Sequence, residues 1–275
     1  MPEDMIQIRG ELEGPTSIIL AGVHGDEKCG TEALLKLIPN LQIKKGIVWF
    51  GYGNPRAIEK NVRYTETNLN RMFKSDDELD DTEKSSYEYE RARFLKKYLD
   101  KADALLDLHA SFTPGAKPFV LCEANANDIV KYLPFDLMVT GFDEVEPGGT
   151  DYYMNKMGKI GICAECGYLG DPESTKRAEE SIIFFLKARG HIDGEVVAKG
   201  LSYIHMYQLY LTKTNKFVLA KPFKDFEEIR SGQVVGTDGS EEIRAPKDSI
   251  ILFARDRNQI NDEGFLLGEK KSSLA

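Results

Sequence analysis

The chain has 275 residues, 41% of them hydrophobic and 29% charged, with a formal net charge of -9. That is the composition of a soluble globular protein with one sizeable core, and the acidic balance argues against a nucleic-acid partner, which would need a basic face. No apolar run approaches the roughly 18 residues of a membrane span, and Met1-Pro2-Glu3-Asp4 carries acids where a secretory leader carries bases, so the expectation is a cytoplasmic protein without a membrane partner.

The first predicted element is the apolar run Ile18-Ile19-Leu20-Ala21, read as a buried strand that stops at Gly22-Val23-His24-Gly25-Asp26-Glu27. In an open α/β sheet the carboxyl ends of strands are where ligands bind. His24 offers an imidazole nitrogen and Glu27 a carboxylate oxygen, both suited to zinc, and a catalytic zinc usually takes three protein ligands and keeps one position for water. A lone His-x-x-Glu arises often by chance, so the reading is carried by its place at a strand end together with the residues downstream. Next, Cys29 to Ile38 sets Ala33, Leu34, Leu35, Leu37 and Ile38 at helical spacing and stops at Pro39-Asn40. Gly46 to Gly53 is a second buried strand, and the alternation of strand and helix predicts an α/β sheet.

The segment Asn54 to Phe73 holds Arg56, Lys60, Arg63 and Arg71, with Asn61, Asn68 and Asn70 between them. It is either a solvated loop or a grip for an anionic substrate, because an arginine fork matches a carboxylate. After an acidic stretch, a helix is expected from about Glu83 to Ala102, with Tyr87, Phe94, Leu95, Tyr98 and Leu99 on one face. Ala104 to His109 is a further buried strand, and it too ends on a histidine, the missing third ligand. Asp107 stands two residues earlier, where a carboxylate can fix an imidazole tautomer. Strands follow at Pro118 to Cys122 and Leu137 to Thr140, then a short helix at Asp151 to Met157. The strand Ile160 to Gly167 embeds Glu165 among apolar neighbours. Burying an unpaired carboxylate is costly, and the burial raises its pKa toward the range of a general base. A helix from Ser174 to Arg189 ends at Gly190.

Near Gly194 to Gly200 the alternation gives way to short strands and turns, which predicts two domains: a catalytic unit over 1–198 and a small all-β unit over 199–275. The four cysteines, Cys29, Cys122, Cys163 and Cys166, read as buried thiols. Cys163 and Cys166 form a Cys-x-x-Cys, a redox pair or half of a metal site, but no second pair completes a structural zinc site.

In order and spacing, Gly22-Val23-His24-Gly25-Asp26-Glu27, Asn54-Pro55-Arg56-Ala57, Arg63 with Asn68-Leu69-Asn70-Arg71-Met72-Phe73, Asp107-Leu108-His109 and Glu165-Cys166-Gly167 resemble the succinylglutamate desuccinylase/aspartoacylase family. The resemblance covers roughly residues 15 to 200. It implies a mixed-sheet α/β fold of the zinc carboxypeptidase-like group, with a small β-barrel-like C-terminal extension. It implies one Zn²⁺ per chain on His24, Glu27 and His109, and Glu165 as the general base that deprotonates the water and later protonates the leaving amine. Arg63 would stabilise the oxyanion, while Asn70 and Arg71 would grip a substrate carboxylate. In aspartoacylase an arginine about ten residues before the catalytic glutamate helps recognise aspartate; here Asn155 falls at that spacing with Lys156 beside it, which weakens an aspartate-specific reading. The implied activity is hydrolysis of the amide of a small anionic N-acylated amino acid, with the acyl group, the amino acid and any homo-oligomer left open. The alternatives are a metallocarboxypeptidase acting on a short peptide, a metal- or ligand-binding homologue without turnover, and a redox protein using Cys163 and Cys166.

Overall fold

The computed structural model describes residues 2–273. The strands, in chain order, are β1 (Ile6–Arg9), β2 (Leu12–Ala21), β3 (Lys45–Tyr52), β4 (Ala104–Ser111), β5 (Phe119–Cys122), β6 (Leu137–Thr140), β7 (Ile160–Tyr168), β8 (Ser202–Leu211), β9 (Phe217–Leu219), β10 (Glu227–Ile229), β11 (Val234–Asp238), β12 (Glu241–Arg244), β13 (Ser249–Leu252) and β14 (Glu263–Lys271). One large mixed sheet runs β1-β3-β2-β4-β7-β5-β6-β8-β14-β13-β10, and β12-β11-β9 form a small antiparallel sheet.

The centre of the large sheet is the parallel set β3-β2-β4-β7. Over their buried lengths both faces are covered, so these stretches are mostly apolar and side chains alternate between two cores. Ile19, Ala21, Leu106 and Leu108 face the helices Lys28–Leu37 and Ser174–Ala188, packing on Ala33, Leu34, Ile182 and Phe185. Ile18, Leu20 and Leu105 point the other way, onto Leu95 and Leu99 of the helix Tyr87–Leu99 and onto Leu69, Met72 and Phe73 of the basic segment. The basic segment is therefore anchored by its own apolar residues.

Several elements differ from the expectation. The helix expected over 83–102 is two pieces, Asp81–Lys84 and Tyr87–Leu99, because Ser86 leaves the helical path and its hydroxyl accepts from Tyr89 N at 3.2 Å. β1 and β10, of four and three residues, carry too little pattern to register. Beyond residue 199 the helix-strand alternation ends, but the large sheet continues: β8 pairs with β6 in parallel, then with β14 antiparallel. β5 enters antiparallel to β7, with Phe119 opposite Glu165.

Candidate metal centre and active site

β2 ends at Ala21, and the chain turns at Gly22, whose φ of +68° suits glycine. Gly25 comes so close to the helix Pro55–Lys60 that a Cβ there would lie 2.1 Å from the Ala57 carbonyl carbon. The intervening loop thus lies on that helix and brings His24 and Glu27 inward, both buried. Glu27 stands at the N-cap of the helix Lys28–Leu37 without capping it through its side chain. Its carboxylate is directed elsewhere.

Glu27 Oε1 lies 2.7 Å from His24 Nδ1 and accepts from Arg63 NH1 at 3.0 Å. Its Oε2 lies 2.8 Å from His109 Nδ1 and accepts from Ala110 N at 3.1 Å. The two imidazoles meet edge to face with centroids 5.1 Å apart. Both turn Nδ1 toward the shared carboxylate and Nε2 outward. His24 Nε2 lies 3.1 Å from Asn68 Oδ1, and His109 Nε2 lies 3.2 Å from Asp107 Oδ2, an ion-pair distance without hydrogen-bond geometry. Thr150 Oγ1 donates to the same Asp107 oxygen at 2.6 Å. An outer partner on Nε2 favours the tautomer that leaves the Nδ1 lone pair free for a cation.

Burial, helped by Arg63, pushes His24 down to about 4, so its imidazole is neutral at neutral pH. Burial opposes ionisation of Glu27, but the two histidines outweigh it and hold the carboxyl well below its usual range. Two imidazoles and one carboxylate, with ligand atoms within 4.8 Å of one another, are a donor set that fits a borderline divalent metal.

Glu165 sits on β7 directly across the parallel ladder from His109. Burial and the Glu27 charge raise its pKa to about 8, and its Oε2 is buried with no hydrogen-bond partner among the described residues. Arg63 reaches the cluster from the basic segment, whose shape rests on Glu88. That buried carboxylate accepts from Asn54 Nδ2 at 3.0 Å, Thr65 N at 2.8 Å and Thr65 Oγ1 at 2.7 Å. Burial alone would raise the Glu88 pKa; the Thr65 and Asn54 donors bring it below the usual value. One cleft is lined by His24, Glu27, His109, Glu165, Arg63, Asn70 and Arg71 together.

Residues 13–185, more than half of the chain, match the family model of the succinylglutamate desuccinylase/aspartoacylase catalytic domain. The chain belongs to this family. It is 32% identical over 138 residues to the "Probable aspartoacylase" of Trichodesmium erythraeum, a stretch covering 47% of this chain and 44% of that protein. It is 29% identical over 201 residues to the N-alpha-acetyl-L-2,4-diaminobutyric acid deacetylase of Halomonas elongata, covering 67% of this chain and 57% of that protein. These matches span about half the length of the curated relatives. In fold, the chain resembles the succinylglutamate desuccinylase structure from Vibrio parahaemolyticus, with a TM-score of 0.81 at 17% identity, over 97% of this chain and 86% of that one.

In this desuccinylase/aspartoacylase family member Asn70 and Arg71, the carboxylate grip expected from the sequence, both line the cleft, whereas Asn155 and Lys156 do not. Asn70 keeps a buried Oδ1 in the cleft that has no hydrogen-bond partner among the described residues. Arg71 is already engaged. Its guanidinium contacts Glu146 and Glu263, with Nε donating to Glu263 Oε1 at 2.8 Å and NH1 to Asn70 O at 2.8 Å. Asn155 lies outside the cleft, its Oδ1 accepting from Gly161 N at 3.2 Å, and Lys156 is exposed beside Tyr152. Both belong to the helix Thr150–Lys156, which turns other residues, Asp151 and Tyr152, into the cleft.

Sequence reasoning missed Asn68 as the partner of His24, the buried acids Glu146 and Asp151, and the C-terminal residues Arg255, Arg257 and Glu263 that close the cleft. For Arg255 and Arg257 the signal was charge between two short apolar strands, β13 and β14. Asp225 fastens this closure: it accepts from Ser111 Oγ, Thr113 Oγ1 and Phe253 N, each at 3.0 Å. The four cysteines are all buried free thiols. Among the described residues, no helix is long and apolar enough to cross a membrane.

Proposed function

We propose that this protein is a zinc-dependent amidohydrolase that releases a carboxylate from an N-acyl amino acid. The observation that carries the reading is the partnerless Glu165 carboxylate, placed across the sheet from His109 at the edge of a buried two-histidine, one-carboxylate cluster. His24, Glu27 and His109 would hold the metal, one ion per chain. When bound, zinc lowers the pKa of a water toward neutrality and polarises a carbonyl. Glu165 takes the proton from the attacking water and delivers it to the leaving nitrogen, a transfer for which a raised pKa is suited. Arg63 spends one N–H on Glu27 and has others to donate to the oxyanion, an interaction that strengthens as charge develops.

The same reading assigns the fold to the zinc carboxypeptidase-like group, with residues 1–198 as the hydrolase unit and 199–275 as a β unit that narrows its mouth. Phe253, Arg255 and Glu263 in the cleft wall favour a small substrate over a peptide. The names of the relatives from Trichodesmium erythraeum and Halomonas elongata support an N-acyl amino acid as the class. The test is hydrolysis of a panel of N-acetyl and N-succinyl amino acids by metal-loaded protein, with Glu165→Gln as control. Turnover should fall roughly 10²–10⁴-fold in the variant, the usual contribution of a general base. Equal turnover in both proteins, or none in the wild type, would overturn the assignment.

A further inference from the structure

The walls of the cleft differ in charge. The basic segment brings Arg63 and Arg71, each already on a carboxylate. Another wall, built from the helices Phe142–Val145 and Thr150–Lys156 and the turn between them, brings Asp143, Glu146 and Asp151. Arg71 answers Glu146, whereas Asp143 and Asp151 form no ion pair among the described residues.

Asp151 is the more deeply placed of these two acids. It is only 9% exposed, and among the described residues no side chain donates to its carboxylate. Burial and the neighbouring Asp143 charge push its pKa up to about 7, as expected of an acid with no matching cation. The backbone of Gly149 shows where that carboxylate points. A Cβ on Gly149 would lie 2.4 Å from Asp151 Oδ1 and 3.3 Å from Asn70 Oδ1, and the Asn70 oxygen is itself buried without a hydrogen-bond partner among the described residues. Two acceptor oxygens thus flank the bare face of a glycine in the cleft. Phe142 and Tyr152, from the same two helices, add aromatic surface to this wall.

Acceptors beside apolar surface suit an ammonium on an aliphatic stem. Such a partner gives a buried carboxylate the charge-assisted hydrogen bonds it lost on leaving water. An anionic group placed there would instead meet like charge.

We propose that Asp151, with Asp143 and the Asn70 amide oxygen beside it, forms a subsite for a positively charged side chain, so that the substrate is an N-acyl amino acid whose side chain ends in an amine. The inference rests on the N-acyl amino acid reading and narrows it. Asp151 is a binding residue in this account and takes no part in proton transfer.

The experiment uses the full metal-loaded chain and three amino acids bearing whichever of the acetyl and succinyl groups turns over faster. They are ornithine, norvaline, which has the same stem without the amine, and glutamate, which carries the opposite charge. The value of kcat/KM for the ornithine compound should exceed that for the norvaline compound about 10–100-fold, the usual worth of a hydrogen bond between charged groups, with the glutamate compound the poorest. Asp151→Asn keeps the volume and removes the charge, so the ornithine-to-norvaline ratio should fall by most of that factor, chiefly through KM. Asp143→Asn, at a half-buried position, should lower the same ratio by a smaller factor, and it decides the matter should Asp151→Asn fail to fold. A wild-type ratio near one, or a ratio that Asp151→Asn leaves intact, overturns the inference, while turnover that depends on Glu165 leaves the hydrolase reading standing. Where the wild type turns over none of the three, calorimetric binding of their acetyl forms separates the two readings. A preference for the ornithine compound that Asp151→Asn abolishes would retain the subsite and reject the hydrolase; the absence of such a preference overturns both.

Discussion

Arg71→Met removes the guanidinium that bridges Glu146 and Glu263 while keeping aliphatic bulk. The three side chains are 18%, 8% and 29% exposed, so water replaces little of the lost interaction. Stranding buried charge by deleting its partner costs about 3–5 kcal/mol. The partial exposure of Glu263 places the expectation near the lower end, a fall of ~6–12 °C in Tm for a chain of this size. The cost should depend on pH. Burial raises the Glu146 pKa from 4.5 to about 8 despite Arg71. The native state therefore holds this proton more tightly than the unfolded state, and the stability it contributes is full below about pH 4.5 and is lost as pH rises through about 8. For Glu263 burial works against ionisation, but Arg71 and the Glu146 hydrogen bond bring it from 4.5 down to about 2, so its contribution is present above about pH 4.5 and lost only in strong acid. Unfolding of metal-free protein by heat or urea should show stability declining between pH 5 and 8, and Glu146→Gln should flatten that decline. Arg71→Met should be less damaging at pH 5 than at pH 8. If Arg71→Met stays within about 0.5 kcal/mol of wild type at both pH values, as an ordinary surface substitution does, and raises only KM, then Arg71 is a substrate grip and not a structural cation.

The loop and the outer partners of the cluster give further expectations. Asn68→Ala removes the oxygen 3.1 Å from His24 Nε2 and should weaken zinc binding about 10–100-fold in a chelator competition, the usual effect of losing such a partner; unchanged affinity would mean the tautomer is set elsewhere. Gly25→Ala forces a methyl against backbone rather than a mobile side chain, so urea unfolding should register a loss of about 1–3 kcal/mol. The same change displaces the segment carrying His24 and Glu27 and should lower metal affinity in parallel, whereas a stable variant with full affinity would show that the loop adapts.

Sequence separation decides which features were legible in the chain. The strands that lead to His24 and carry His109 and Glu165 announce themselves because the C-terminal half of β2 and nearly all of β4 and β7 are buried and read as apolar runs. A polar residue at such a strand end, or within it, is conspicuous. Family resemblance ordered those residues into one set, and the parallel register of His109 with Glu165 gives their proximity a structural cause. What was illegible depends on contacts across long separations. Arg71 and Glu263 are 192 residues apart, and nothing near Arg71 in the chain says that its charge is met by a C-terminal acid. Asn155 occupied the spacing of a recognition residue, but the helix that carries it presents Asp151 and Tyr152 to the cleft. The continuation of the large sheet past residue 199 was hidden for the same reason: strand composition there announces β structure but not which sheet receives it.

The metal centre is tested most directly by the metal content of the purified protein, measured by elemental analysis after reconstitution with zinc and removal of excess ion. About one zinc per chain is expected for wild type and for Glu165→Gln, and a loss of stoichiometric binding for His109→Ala, because a third ligand cannot be spared from the set His24, Glu27 and His109. Wild-type protein that takes up no zinc, or His109→Ala protein that binds it as well as wild type, would contradict the assignment of the metal centre.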